Sequence, residues 1–112
     1  MDRFAVNIAE KGQYGVVVSV SGELDLATAE ELRGKLDPVI VQDAVVVLDG
    51  TGMSFLDSSG LRVLLQAANL ATSRGAAFRL VAPQAAVRRV LELAGVVDHL
   101  AAREDVAAAL AG

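Results

Sequence analysis

Val45-Val46-Val47-Leu48-Asp49, followed after a short interval by Phe55-Leu56-Asp57-Ser58-Ser59-Gly60-Leu61, is the stretch whose reading decides the fold. A continuous apolar run bounded by turn residues reads as a strand buried on both faces, in the middle of a parallel sheet. The glycine-bearing segment Gly50-Thr51-Gly52 then reads as a short turn. Beyond it, Leu61, Leu64, Leu65, Ala68 and Ala71 recur at intervals of three and four, while Arg62, Gln66, Asn69 and Ser73 fall on the other side. That pattern predicts a helix with one face on the sheet and one in water. Ser58 stands at the carboxyl end of a central strand and the amino end of a helix, where open α/β sheets place ligands and partners.

On the amino-terminal side, Phe4, Val6 and Ile8 alternate with Ala5, Asn7 and Ala9, the period of a half-buried strand. Glu10-Lys11-Gly12-Gln13 is expected to be a hairpin turn, and Tyr14–Val20, rich in β-branched residues, the returning strand, which stops at Ser21-Gly22. The next helix has two candidate starts: Asp25 as a cap, or Thr28 with Glu31 as the reciprocal partner of a capping box. Ala29, Leu32 and Leu36 form its buried stripe, and Pro38 marks its end. On the carboxyl side, Gly75 closes the second helix, Phe78, Leu80 and Val81 make a strand, and Ala82-Pro83 leads into a third helix. Val87, Val90, Leu91 and Ala94 are its expected buried face, and Gly95 stops it. Val96, Val97 and Leu100 are expected to give a last short strand, before a final helix around Glu104–Leu110. The expected architecture is α/β: one mixed sheet, parallel in the middle, with an opening antiparallel hairpin and about four helices covering it.

Composition bounds the function. At 112 residues the chain is one domain, 1–112, and 54% hydrophobic against 21% charged residues makes it globular rather than disordered. The absence of cysteine removes disulfides, thiolate metal sites and thiol catalysis together. A net charge of -4 with no Lys/Arg cluster argues against nucleic acid and anionic membrane as partners. No leader or apolar span of about 18 residues is visible, so a cytoplasmic location is expected.

Catalytic readings fail one at a time. The one histidine, His99, has nothing in sequence that ties it to Ser58. A nucleophile elbow needs glycines two residues either side of its serine, and Ser58 has Leu56 on one side with Gly60 on the other. Gly50-Thr51-Gly52 lacks the third glycine of a dinucleotide fingerprint, because Phe55 stands there. Asp25, Asp49 and Asp57 have neither histidine nor spacing to make a metal site. No enzyme activity, cofactor or metal is expected.

What remains is a serine in a particular electrostatic setting. Its plain reading is helix capping, by a Ser or Asp oxygen accepting from free backbone amides. A hydroxyl at a helix amino end is also exposed. A phosphate there would bring about -1.5 to -2 charge, favoured by the helix dipole and opposed by Asp57 and by Asp25 or Glu23.

Gly22-Glu23-Leu24-Asp25 with Thr28-Ala29-Glu30, Val47-Leu48-Asp49, Ser54-Phe55-Leu56-Asp57-Ser58-Ser59-Gly60-Leu61, and Ala82-Pro83 with Val87–Val96 together resemble a STAS domain. The likeness is to the stand-alone anti-sigma-factor antagonists of bacteria, and it covers nearly the whole chain. It implies Ser58 as the phosphoacceptor, and a partner-docking surface comprising Glu23, Leu24, Asp25, Asp57, Ser59, Gly60, Leu61, Arg62 and Gln66. The implied partners are an anti-sigma factor that is also a serine kinase, which brings ATP and magnesium, and a phosphatase that resets the switch. A monomer is expected when free. Two positions depart from the family pattern. Gly50-Thr51-Gly52 is richer in glycine than the usual turn, and Arg62 stands where small residues are frequent. A rival reading is a constitutive STAS adaptor, such as a small subunit of a lipid-transport ABC complex, with Ser58 only a helix cap. A third is a nucleotide-binding module.

Overall fold

The computed structural model describes residues 3–111, so the outermost residues of the expected 1–112 domain lie outside the description. Four strands form one sheet: β1 (Ala5–Lys11), β2 (Gly15–Leu24), β3 (Val45–Leu56) and β4 (Ala77–Val81), in the spatial order β1-β2-β3-β4. β1 and β2 pair antiparallel through a turn at Gly12, whose φ of 72° suits a residue without a Cβ. β2, β3 and β4 are parallel. Helices α1 (Ala29–Leu36), α2 (Ser58–Arg74), α3 (Ala85–Ala94) and α4 (Val106–Ala111) complete the chain.

The strand order places the helices. Each crossover from β2 to β3 and from β3 to β4 steps to the next strand in the same direction. Crossovers of one hand then lay α1 and α2 on the same face of the sheet. Leu32 and Leu36 of α1, Val63, Leu64, Ala67, Ala68 and Ala71 of α2, and Val87 and Leu91 of α3 share one apolar core with Val18, Val20, Val46, Leu48, Phe78 and Leu80. The opposite face holds a smaller cluster, Val17, Val47 and Val81 beneath Ala109 of α4. This accounts for the unbroken apolar run in β3: Val46 and Leu48 face one layer, and Val47 the other. Among the described residues no polar or charged residue is buried.

The structure corrects the sequence reading at several points. Gly50-Thr51-Gly52 is not a turn; β3 runs through it to Leu56. The extra length is absorbed by two irregularities in register, between Ser19/Ser21 and Gly22/Glu23, where β3 carries one more residue than β2 each time. The glycines serve close approach: a Cβ on Gly50 would meet the Val81 carbonyl at 2.8 Å, and one on Gly52 would meet the Ser21 Cβ at 2.9 Å. β2 likewise does not stop at Ser21-Gly22 but continues to Leu24, with Gly22 at φ 88° in the irregular segment. The expected strand at Val96–Leu100 is a turn, and β4 instead gains a single bridge from Arg103 to Val81. The α2 stripe is rotated slightly: Val63 and Ala67 are buried, whereas Leu61 and Leu65 are half-buried. On α3, Val87 and Leu91 are buried, Val90 is half-buried and Ala94 is exposed.

Candidate functional site

The two parallel strands β2 and β3 end together, with Leu24 beside Leu56 in register. Both chains then turn towards helices, and the two turns are tied by the Asp57 amide donating to the Leu24 carbonyl at 3.2 Å. Gly60 permits the closeness. A Cβ there would meet the Leu24 Cγ and carbonyl oxygen at 2.7 Å and the Leu56 Cδ1 at 2.8 Å. The first turn of α2 therefore sits directly against the end of β2.

Asp57 is the N-cap of α2. Its backbone is extended, and its Oδ1 accepts from the Ser59 amide at 2.9 Å and the Gly60 amide at 3.0 Å. Its carbonyl accepts from the Leu61 amide at 2.9 Å, the first bond of the helix. Ser58 is consequently the first helical residue and not the cap. Its side chain is exposed, and among the described residues its hydroxyl makes no hydrogen bond. Reading Ser58 as only a cap is thereby corrected, since a carboxylate already holds the amides that a capping serine would take.

Across from it, the segment between β2 and α1 is a tight loop held by two side chains. Asp25 Oδ1 accepts from the Ala27 amide at 2.9 Å and the Thr28 amide at 3.2 Å. The Thr28 hydroxyl donates to the Glu23 carbonyl at 2.8 Å and accepts from the Asp25 amide at 3.0 Å. Thr28 is the N-cap residue of α1 by position, yet its side chain turns back into the loop. Of the two candidate starts, the capping box of Thr28 with Glu31 does not form, and it is Asp25 whose carboxylate accepts the amides of the turn. Locking the loop ends in this way leaves Leu26 standing in solvent, 78% exposed.

Between α1 and α2 lies an open groove of about 570 Å³, lined by Leu26, Glu30 and Arg33 on one side and by Ser58, Arg62 and Gln66 on the other, among others. Of the residues expected at a docking surface, Ser59, Arg62 and Gln66 line this groove with Ser58. Glu23 is exposed, and Asp25 and Asp57 half-exposed, on the adjoining loops. Leu24 and Gly60 are buried and Leu61 is half-buried, so these three shape the surface from beneath. Leu26, Glu30 and Arg33 were not among the expected residues. Leu26 carried a usable signal, an apolar side chain between Asp25 and Ala27 in a stretch otherwise read as a helix start. Phe55, also absent from that set, is 44% exposed and pairs in register with Glu23.

The remaining candidates lie elsewhere. His99 Nε2 is 3.2 Å from the Asn69 Oδ1. Asn69 is eleven residues along α2 from Ser58, about 16 Å at the helical rise, so the imidazole cannot serve that hydroxyl. Asp49 Oδ1 accepts from the Thr51 hydroxyl and amide, a local turn-like use of the carboxylate within β3. Among the described residues no three His, Asp or Glu side chains cluster as metal ligands would, and no helix is long and apolar enough to cross a membrane.

A four-stranded mixed sheet with this helix-capped junction defines a class. The family model for the STAS domain matches residues 5–109, and the chain belongs to the STAS family. It is similar to an anti-sigma F factor antagonist of Paenibacillus polymyxa, 32% identical over 83 residues that cover 72% of this chain and 71% of the relative. Among solved structures, an anti-sigma factor antagonist from Mycobacterium paratuberculosis superposes with a TM-score of 0.87 at 27% identity, covering 97% of this chain and 92% of that one. The unphosphorylated form of the anti-sigma factor antagonist SpoIIAA superposes at a TM-score of 0.73 and 25% identity, covering 93% of this chain and 92% of that one.

Proposed function

We propose that this chain is an anti-sigma factor antagonist whose docking to an anti-sigma factor is switched by phosphorylation of Ser58. One observation carries the assignment of the serine: its hydroxyl is exposed at the first position of α2 while Asp57 does the capping. A modification there costs the fold no hydrogen bond. The relatives' names and the wholly apolar core point the same way, towards a surface device and away from a buried catalytic centre.

In this reading the unmodified protein docks through the loop at Glu23 and Asp25, the junction at Asp57 and Ser59, and the face of α2 that carries Arg62 and Gln66. Leu26 and Phe55 supply apolar contact. Leu24, Gly60 and Leu61 hold this surface in shape from within. The partner, an anti-sigma factor with serine kinase activity, brings ATP and magnesium. The Ser58 Oγ attacks the γ-phosphorus, the bond to the bridging oxygen breaks, ADP leaves, and the hydroxyl proton passes to a base of the kinase. The new charge lies inside the contact, where the cost of desolvating it opposes docking. A phosphatase restores the hydroxyl by hydrolysis. The protein itself acts as a cytoplasmic monomer when free and performs no catalysis.

Incubation with candidate anti-sigma kinases, ATP and magnesium, followed by mass spectrometric mapping, tests the assignment. Phosphate on Ser58, and its loss in Ser58→Ala, is the expected result. Phosphate on another residue, or none with every kinase that binds the protein, overturns it.

A further inference from the structure

The first-turn amides of α2 are the usual receivers of an anion at a helix start, but here Asp57 has taken those of Ser59 and Gly60. The Leu61 amide is committed to the Asp57 carbonyl. Of the first turn only the Ser58 amide is left uncommitted among the described residues. A phosphate on the Ser58 oxygen would stand next to the Asp57 carboxylate with that single amide to receive it, and must find its counter-charge among side chains. The groove offers two guanidinium groups. Arg33 is engaged by Glu30 at 3.2 Å, three residues earlier on α1. Arg62 makes no hydrogen bond or ion pair among the described residues, and it follows Ser58 by four residues on the same helix. Positions i and i+4 lie one above the other on a helix face, and an anion placed N-terminal to its cation is the favoured order.

We propose that Arg62 receives the phosphate of phosphorylated Ser58, so that modification lays an internal ion pair along the groove between α1 and α2. This rests on Ser58 being the phosphoacceptor. The pair would do two things at once: fill the groove beside Leu26, and withdraw from any docking partner the groove cation that, among the described residues, is free to meet it.

The charged groups around the phosphate are Asp57 at the cap, Arg62 on α2, Glu30 and Arg33 on α1, and Glu23 and Asp25 on the preceding loop. Glu30 and Arg33 offset each other, which leaves Asp57, Glu23 and Asp25 raising the second phosphate pKa and Arg62 lowering it. The test uses protein carrying a phosphoserine installed at position 58 during translation, followed by phosphorus NMR through a pH titration. The parent should titrate about 0.2–0.4 pH unit below Arg62→Gln at low salt. The gap should close in about 1 M salt, where the screening length falls to about 3 Å. Arg89→Gln, an exposed arginine on α3, should leave the midpoint where the parent has it. Equal midpoints for the parent and Arg62→Gln, or a larger shift from Arg33→Gln, would overturn the pairing. Because the phosphate is installed without a kinase, this outcome is independent of whether a kinase modifies Ser58. Failure of that assignment would appear instead as absent or misplaced phosphate in the kinase incubation.

Discussion

Asp57 and Ser58 are neighbours with divided labour. The carboxylate holds the helix start at 2.9 and 3.0 Å, and the hydroxyl holds nothing. Substitution should separate them. Asp57→Ala is expected to lower unfolding free energy by about 1 kcal/mol, the usual cost of losing an N-cap, measured by denaturant titration. Ser58→Ala and Ser58→Asp should stay within about 0.5 kcal/mol of the parent, as surface changes do. A comparable loss on Ser58→Ala would show that the serine caps after all. Gly60→Ala should cost about 1–3 kcal/mol through overpacking, since its new methyl group meets Leu24 and Leu56 inside 2.9 Å. Much of this was legible in Asp57-Ser58-Ser59-Gly60, whose composition announces a capped helix start. Which oxygen does the capping was not legible, because Asp and Ser are equally good caps and only the backbone places one of them at the extended position.

At the level of elements, the strong periodicities survived and the punctuation misled. The apolar run of β3 and the three-and-four spacing of α2 report burial directly, and burial is what fixes those elements. Glycine is ambiguous. At Gly75 and Gly95 it sits at φ 72° and 70° and ends a helix, as read. At Gly50 and Gly52 it makes room for a neighbouring strand, and nothing local distinguishes that use from a turn. Gly50→Ala tests the difference. A solvent turn would tolerate it, whereas the observed contact with the Val81 carbonyl predicts a loss of about 1–3 kcal/mol. Val96–Leu100 shows the opposite ambiguity: its apolar cluster reads as a strand, but Leu100 reaches the core from a turn, its carbonyl accepting from the Leu80 amide. The groove between α1 and α2 was out of reach of sequence reading, because Glu30 and Arg33 belong to it only once the crossovers set α1 beside α2.

For the whole molecule, the sheet separates stability from the docking face. The core lies between β2–β4 and the helices, α4 seals the far side over Val17, Val47 and Val81, and the candidate surface occupies the carboxyl ends of β2 and β3. Leu48→Ala in the fully buried layer should cost about 2–5 kcal/mol, and partner affinity should fall only as far as the folded fraction falls. The switch, by contrast, is expected to act without unfolding anything, since no buried group has to ionise and no hydrogen bond has to break. The most direct measurement is calorimetric titration of one anti-sigma kinase with the unmodified protein and with protein carrying a phosphoserine at position 58. The unmodified form should bind at least about tenfold more tightly, a difference of about 1.4 kcal/mol, with both forms unfolding at the same denaturant concentration. Equal affinities would contradict the account.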